Sequence, residues 1–323
     1  MTRPFRSMVD VARTRTRVIL DNDFSGDPDG LFQLVHHLLS PSVDISFVIG
    51  SHLPVGDHLD PSDRQAENAA ALAEEYCRAA GRADLEVVAG ANRAGAVEGE
   101  SARAAHRIVR EALRDDPRPL FYCAGAGLTD LAAALDIEPA IASRLTLLWI
   151  GGEDHPGITG NGETYPGMEF NLSIDPLAAA QVFDRAELAI WQVPRGTYLQ
   201  AVVSFAELDA LGEPGPVAGP LVERLGRLVE TLNPFVPMGE TFTLGDQPLV
   251  LLTALTSAFG NQTTSSGSVI IPRPSIQTDG GYGATVPGAE LTVVARLDTR
   301  LLFADMFAKF LAADAPEVPG SKR

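Results

Sequence analysis

The nine residues Asp21-Asn-Asp-Phe-Ser-Gly-Asp-Pro-Asp29 hold four carboxylates and directly follow the apolar run Arg17-Val-Ile-Leu20. Like charges this close raise one another's pKa values and strain the loop that carries them. A divalent cation resolves that conflict, and ligands that are all oxygen select calcium or magnesium over zinc. A solvated acidic turn is the plainer alternative, but the loop lies where a strand hands over to a helix. Asp21, Asp23, Ser25 and Gly26 match the opening of an EF-hand loop. That match ends at its twelfth position, where Phe32 stands instead of the bidentate glutamate, and the preceding segment reads as strand rather than helix.

Three later segments carry polar groups at comparable positions. Cys123-Ala-Gly-Ala-Gly-Leu-Thr-Asp-Leu-Ala132 is a glycine-rich strand-to-helix turn. It looks like a nucleotide-binding loop until Asp130, which breaks the Gly-x-Gly-x-x-Gly pattern. Gly151-Gly152 follows a strand, and then come Gly160-Asn161, Glu169-Phe-Asn171 and Asp175-Pro176. An array of asparagine and glutamate suits hydroxyl groups that both donate and accept. Leu244-Gly-Asp-Gln-Pro-Leu249 opens an apolar helix, where Asp246 in isolation reads equally as a helix N-cap.

These segments need a scaffold, and the chain supplies strands and helices in alternation. Helical spacing of Leu31, Leu34, Val35, Leu38 and Leu39 ends at Ser40-Pro41. Strands are predicted over Val43–Ile49, Leu85–Val88, Pro119–Cys123, Leu145–Ile150 and Leu188–Val193. Helices are predicted over Asp63–Ala80, Ala102–Leu113, Leu128–Leu135 and Pro176–Phe183. Short apolar runs separated by helices imply an α/β fold with a mostly parallel sheet covered on both faces. Beyond Gln200 the pattern is more helical (Ala206–Leu211, Pro220–Leu232, Pro248–Ala258, Leu301–Leu311), with late strands at Val269–Ile271 and Leu291–Val294. No linker or repeat divides the chain, so a flexible leader over 1–16, one catalytic domain over 17–314 and a tail over 315–323 are expected. In such sheets ligands sit beyond the carboxyl ends of the strands, where the acidic loop and the glycine turns fall.

Composition narrows the function. Net charge is −17, from 42 acids against 25 bases, a field that repels phosphate backbones and argues against polymeric nucleic acid. No apolar run reaches membrane-helix length. Arg3, Arg6, Arg13, Arg15 and Arg17 lack the apolar core of a secretory signal. Cys77 and Cys123 have neither metal-type spacing nor a disulfide framework, which fits a cytoplasmic location. The sequons at Asn171 and Asn261 then have no secretory route.

Taken in order, the four segments resemble the nucleoside hydrolases of the inosine-uridine preferring, calcium-dependent type, across roughly Arg17 to Leu311. That family opens with a strand and Asp-x-Asp-x-Gly-x-Asp-Asp, of which this loop looks like a version with one extra residue. The resemblance implies a Rossmann-like core and calcium ligands at Asp23, Asp29, the Gly125 carbonyl and Asp246. It implies sugar contacts from Asp27, Asn161, Glu169 and Asn171, and a homodimer or homotetramer. Counting directly from Asp23 would exchange Asp27 for Asp29 as the metal ligand. Where the family commonly has histidine before its last aspartate, this chain has Gly245.

What the resemblance implies chemically is hydrolysis of the ribonucleoside N-glycosidic bond by a calcium-bound water, with Asp23 as general base. His155, between Gly152 and Asn161, is the candidate to meet the leaving base, whereas His36, His37, Trp149 and Trp191 read as packing residues. Two other readings stay open here. One is a ribose-binding calcium protein without catalysis, which Gly245 makes conceivable. The other is a haloacid dehalogenase-type phosphatase, which also opens with a strand and Asp-x-Asp.

Overall fold

The computed structural model describes residues 8, 11–95, 99, 102–160, 165–211, 215–257 and 266–315. Its first half alternates strand and helix: β1 (Thr16–Asn22), α1 (Asp29–Leu38), β2 (Val43–Gly50), α2 (Gln65–Ala79), β3 (Val87–Ala89), α3 (Ala102–Ala112), β4 (Leu120–Gly125), α4 (Thr129–Ile137) and β5 (Thr146–Ile150). There follow α5 (Phe170–Ile174), α6 (Pro176–Phe183), β6 (Ala189–Val193), α7 (Arg195–Tyr198), β7 (Val202–Ser204) and α8 (Phe205–Asp209). The chain continues through α9 (Ala218–Leu232), β8 (Thr241–Thr243), α10 (Pro248–Thr253), β9 (Ser266–Ile276), β10 (Tyr282–Leu297) and α11 (Thr299–Asp314).

Eight strands form one sheet in the order β3-β2-β1-β4-β5-β6-β10-β9, all parallel except β9. The chain winds outward from β1 through β2 to β3, then returns to the other side of β1 as β4. A crevice must open at the carboxyl ends of β1 and β4, where the winding reverses.

Alternation along each strand divides the core into two layers. Val18 and Leu20 of β1 and Leu148 and Ile150 of β5 pack with α1, α2, α9, α10 and α11. Ile19, Leu147 and Trp149 pack on the opposite face with α3, α4 and α6. Trp149 is fully buried, and Trp191 meets Phe121 edge-on, so both are packing residues. His36 and His37 are buried on α1, bonded to Gln247 and Asp305 and to Gln33 and Thr253 respectively.

The late region departs from expectation. The two short apolar runs are the middles of a long antiparallel hairpin, β9–β10, whose flanks are too rich in Gly, Pro and Thr to stand out. Pro272 and Pro274 lie on β9, the outer edge, where a missing N–H costs no ladder bond and discourages pairing with another chain. Buried Arg273 ties the hairpin to the turn before β6, donating to the carbonyls of Phe183, Arg185, Leu188 and Glu290. Helix α10 ends at Thr253, short of the expected Ala258, which lies outside the described residues.

Candidate active site

Strand alternation separates the first two acids. Asp21, still within β1, turns its carboxylate into the sheet, where Ser51 and Tyr122 donate to it and burial raises its pKa to about 6. The strand ends at Asn22, so the two-residue period no longer binds Asp23, and Asp23 faces an open cavity of about 240 Å³. A turn closed by Gly26 N–H to the Asp23 carbonyl (2.8 Å) swings the chain round to α1. Asp27 accepts the Asp29 N–H (3.0 Å), and Asp29 begins α1.

Asp246, arriving from the loop before α10, completes the group. Its N–H donates to Asp29 Oδ2 (3.2 Å), and its own Oδ2 accepts Asn22 Nδ2 (2.8 Å). Gly125 ends β4 beside it: a methyl there would lie 2.6 Å from Asp246 Oδ1 and collide with the Asn22 amide. Only glycine lets β4 bring its main chain to the acids, which is why the carbonyl is the atom it can offer.

Glu169, Phe170 and Asn171 come from the start of α5. Glu169 is a helix N-cap: Oε2 accepts from Gly152 N (2.8 Å) and Leu172 N (2.9 Å), and Oε1 from Asn171 N (3.2 Å). The Tyr198 hydroxyl fills the remaining position on Oε1 at 2.9 Å. A carboxylate has about four acceptor positions, so Glu169 is saturated by the protein itself. Asn171 Nδ2 donates to the Ile150 carbonyl (2.8 Å). Leu53, Leu59, Ile150 and Phe170 give the cavity an apolar side, and Asp57 adds a sixth carboxylate.

Of the residues expected from sequence, the structure brings Asp23, Asp27, Asp29, Gly125, Glu169, Asn171 and Asp246 to this one cavity. Asn161 lies outside the described residues. His155, expected to meet the leaving base, does not line this cavity. Its Nε2 is paired with Gln192 Oε1 (2.9 Å) and its ring is stacked on Tyr282 at 4.4 Å, because the chain after Gly152 turns beneath β10. Sequence reasoning missed Tyr198, Asp57 and Asn22. Asn22 alone left a signal: strand parity turns it away from Asp21, toward the α10 side.

The electrostatics are those of an uncompensated acid cluster. Burial, then the charge of Asp246, then that of Asp27, push the Asp23 carboxyl well above its ordinary range. Asp29 is raised for the same reasons, and burial lifts Asp246 to about 7 although the Asn22 amide opposes it. Asp23 Oδ2 is buried with no hydrogen-bond partner. These features fit a hard divalent cation held by Asp23, Asp29, Asp246 and the Gly125 carbonyl, all oxygen donors. Among the described residues no three His, Cys, Asp or Glu groups form a ready ligand cluster. The carbonyl and oxygens from outside the protein would therefore have to complete the sphere.

Comparison with known proteins decides the family. The sequence profile described as inosine-uridine preferring nucleoside hydrolase matches residues 18–247. The chain belongs to that family. It is 31% identical over 131 residues to the non-specific ribonucleoside hydrolase RihC of Salmonella newport, covering 41% of this chain and 39% of that protein. The aligned stretch thus spans well under half of that curated relative. A plant nucleoside hydrolase superposes with a TM-score of 0.70 at 15% identity, over 92% of this chain and 99% of the other. The inosine-uridine preferring nucleoside hydrolase of Bacillus anthracis gives 0.63 at 20% identity, with the same two coverages. These superpositions establish the fold, a single α/β domain with a mostly parallel sheet.

Proposed function

We propose that this chain hydrolyses the N-glycosidic bond of ribonucleosides, releasing ribose and free base, with calcium as the resident ion. One observation carries the reading: Asp23, Asp29, Gly125 and Asp246, from three separate stretches of chain, converge on a cavity that also holds Glu169 and Asn171. The donor set favours calcium over zinc, and Asp23, Asp29, Asp246 and the Gly125 carbonyl would hold the ion. When bound, it would supply Lewis-acid polarisation of a water and of sugar hydroxyls.

The chain's own groups account for the rest. Asp23 is the general base: its carboxylate takes the proton of the attacking water as the new bond to the anomeric carbon forms. The pair of the breaking C–N bond leaves with the base. An oxocarbenium-like transition state carries positive charge on the sugar, and six surrounding carboxylates favour that charge. Asp27 and Asn171 orient the sugar hydroxyls, and the apolar side formed by Leu53, Leu59, Ile150 and Phe170 shields the flat base from water.

A panel of ribonucleosides assayed with calcium for released reducing sugar tests this. Sugar released from any of them, lost on chelation and restored by calcium, supports the reading. Saturable binding without release would leave a ribose-binding protein instead, and phosphate release with a magnesium requirement would favour the phosphatase alternative.

A further inference from the structure

We propose that Tyr198 is a specificity residue: a neutral hydrogen-bond donor that the bound nucleoside recruits from Glu169 onto its leaving base. The inference rests on the hydrolase reading above and deepens it.

The first ground is a census of donors. Among the described residues lining the cavity, the polar side chains are six carboxylates, Asn171 and Tyr198. Ionised carboxylates only accept, and of the two Asn171 amide N–H groups one donates to the Ile150 carbonyl at 2.8 Å while the other belongs to the sugar contact proposed above. No described lysine, arginine or histidine lines the cavity. A base departing with negative charge on a ring nitrogen or carbonyl oxygen needs a donor, and Tyr198 carries one on a single rotatable hydroxyl.

The second ground is that this hydroxyl can be exchanged. Three of the four donors on Glu169 are backbone N–H groups fixed by α5 and the β5 loop; the fourth is Tyr198 at 2.9 Å. A sugar hydroxyl that pairs with Glu169 can therefore do so only by displacing Tyr198, whose own hydroxyl is then free for the other half of the same substrate.

The third ground is steric. A methyl on Gly245 would lie 3.3 Å from Tyr198 Cδ2 and 3.3 Å from Asp29 Oδ2. The tyrosine ring fills the space beside the bare main chain at 245, between the acid cluster and Glu169. Burial and the charge of Glu169 raise the phenol's pKa, so the group donates a hydrogen bond and keeps its proton. The balance is complete without it: water's proton goes to Asp23, and the departing base takes one from solvent.

The test is Tyr198→Phe, which keeps the ring and the three backbone bonds to Glu169, with unchanged Tm as the folding control. The loss in kcat/KM for uridine and inosine is expected to be about 10²-fold, as for removal of one transition-state donor. Ribosyl p-nitrophenol, whose leaving group departs unaided, should change less than threefold. Calorimetry in an Asp23→Asn background adds a readout independent of turnover: inosine affinity should fall about tenfold on Tyr198→Phe, as for one lost hydrogen bond, while ribose affinity holds. Equal losses on all three substrates would mean that the hydroxyl acts only through Glu169, and no loss on any would mean it never meets substrate; both overturn the proposal. A wild-type protein that binds inosine but never cleaves it would overturn the hydrolase reading, and the binding comparison would still decide the role of Tyr198.

Discussion

Removing bound cation should make the folded state lose stability more steeply as pH rises across neutrality, and calcium should weaken that dependence. The folded carboxyls of Asp23 and Asp29 are raised well above the unfolded value of 3.8, and Asp246 is raised to about 7. Groups raised on folding hold protons that the unfolded chain has released. Their stabilisation is therefore full below the unfolded pKa and is lost as pH climbs through the folded ones. Each retained proton costs stability at about 1.36 kcal/mol per pH unit. Over a window of one pH unit from neutrality, one proton kept within the cluster then amounts to roughly 1.4 kcal/mol. That window leaves the buried His36 and His37 neutral, since both are pushed below their ordinary value. At about 2 °C per kcal/mol for a domain of this size, chelator-treated protein should lose roughly 3 °C in Tm over the window. Calcium-saturated protein should lose less, because the ligating carboxylates are ionised at both ends of it and only raised carboxyls outside the metal site, Asp130 and Glu169, remain. Scanning calorimetry on both forms measures the two slopes. Equal slopes with and without calcium would refute the assignment of these acids to one cation site.

Asp23→Asn should lower kcat by about 10²–10⁴ as the water loses its base, while the chelator-treated variant gains thermal stability because a repelling charge is gone; a wild-type kcat would move the base elsewhere. Inosine should outpace 2′-deoxyinosine in kcat/KM by up to about 10⁴, since groups built to pair with a hydroxyl are left unpaired without it. Comparable values would remove Asp27 and Asn171 from the sugar. His155→Ala should leave kcat/KM within threefold of wild type for uridine but cost about 1–3 kcal/mol in denaturant unfolding, because Gln192 loses its buried partner. A selective loss on uridine would return His155 to the leaving base.

The parts of the site read from sequence are those that follow regular elements. Asp23 follows β1, Gly125 ends β4, Asp29 opens α1, and Asp246 precedes α10, so finding the element boundaries was enough to bring them together. Tyr198 sits on α7, a helix of four residues with no periodicity to read, and Asp57 on the irregular stretch between β2 and α2. Nothing local marks either as facing the cavity. His155 shows the converse: nearness in sequence to Gly152 does not bring it to the cavity, because it stacks on Tyr282. The β9–β10 hairpin was recognised only at its apolar middle, because cross-strand pairing rather than residue type holds its flanks.

Where the structure leaves polar groups unsatisfied also argues for the site. Among the described residues, five buried side-chain atoms lack a partner: Thr16 Oγ1, Asn22 Oδ1, Asp23 Oδ2, Glu67 Oε2 and Gln247 Nε2. Three of these belong to Asp23 or to residues adjacent in sequence to the proposed metal ligands. Thr16 and Glu67 apart, the molecule meets even awkward demands elsewhere, as where a buried guanidinium, Arg273, is surrounded by main-chain carbonyls. A chain able to solvate an isolated buried arginine had the means to pair these atoms too. Its failure to do so around the acids is what a site completed by a ligand requires, since an atom already satisfied by the protein has nothing to offer an ion or a sugar. Glu169 reads the same way in reverse: saturated by the fold, it can engage substrate only through the one donor that is free to leave.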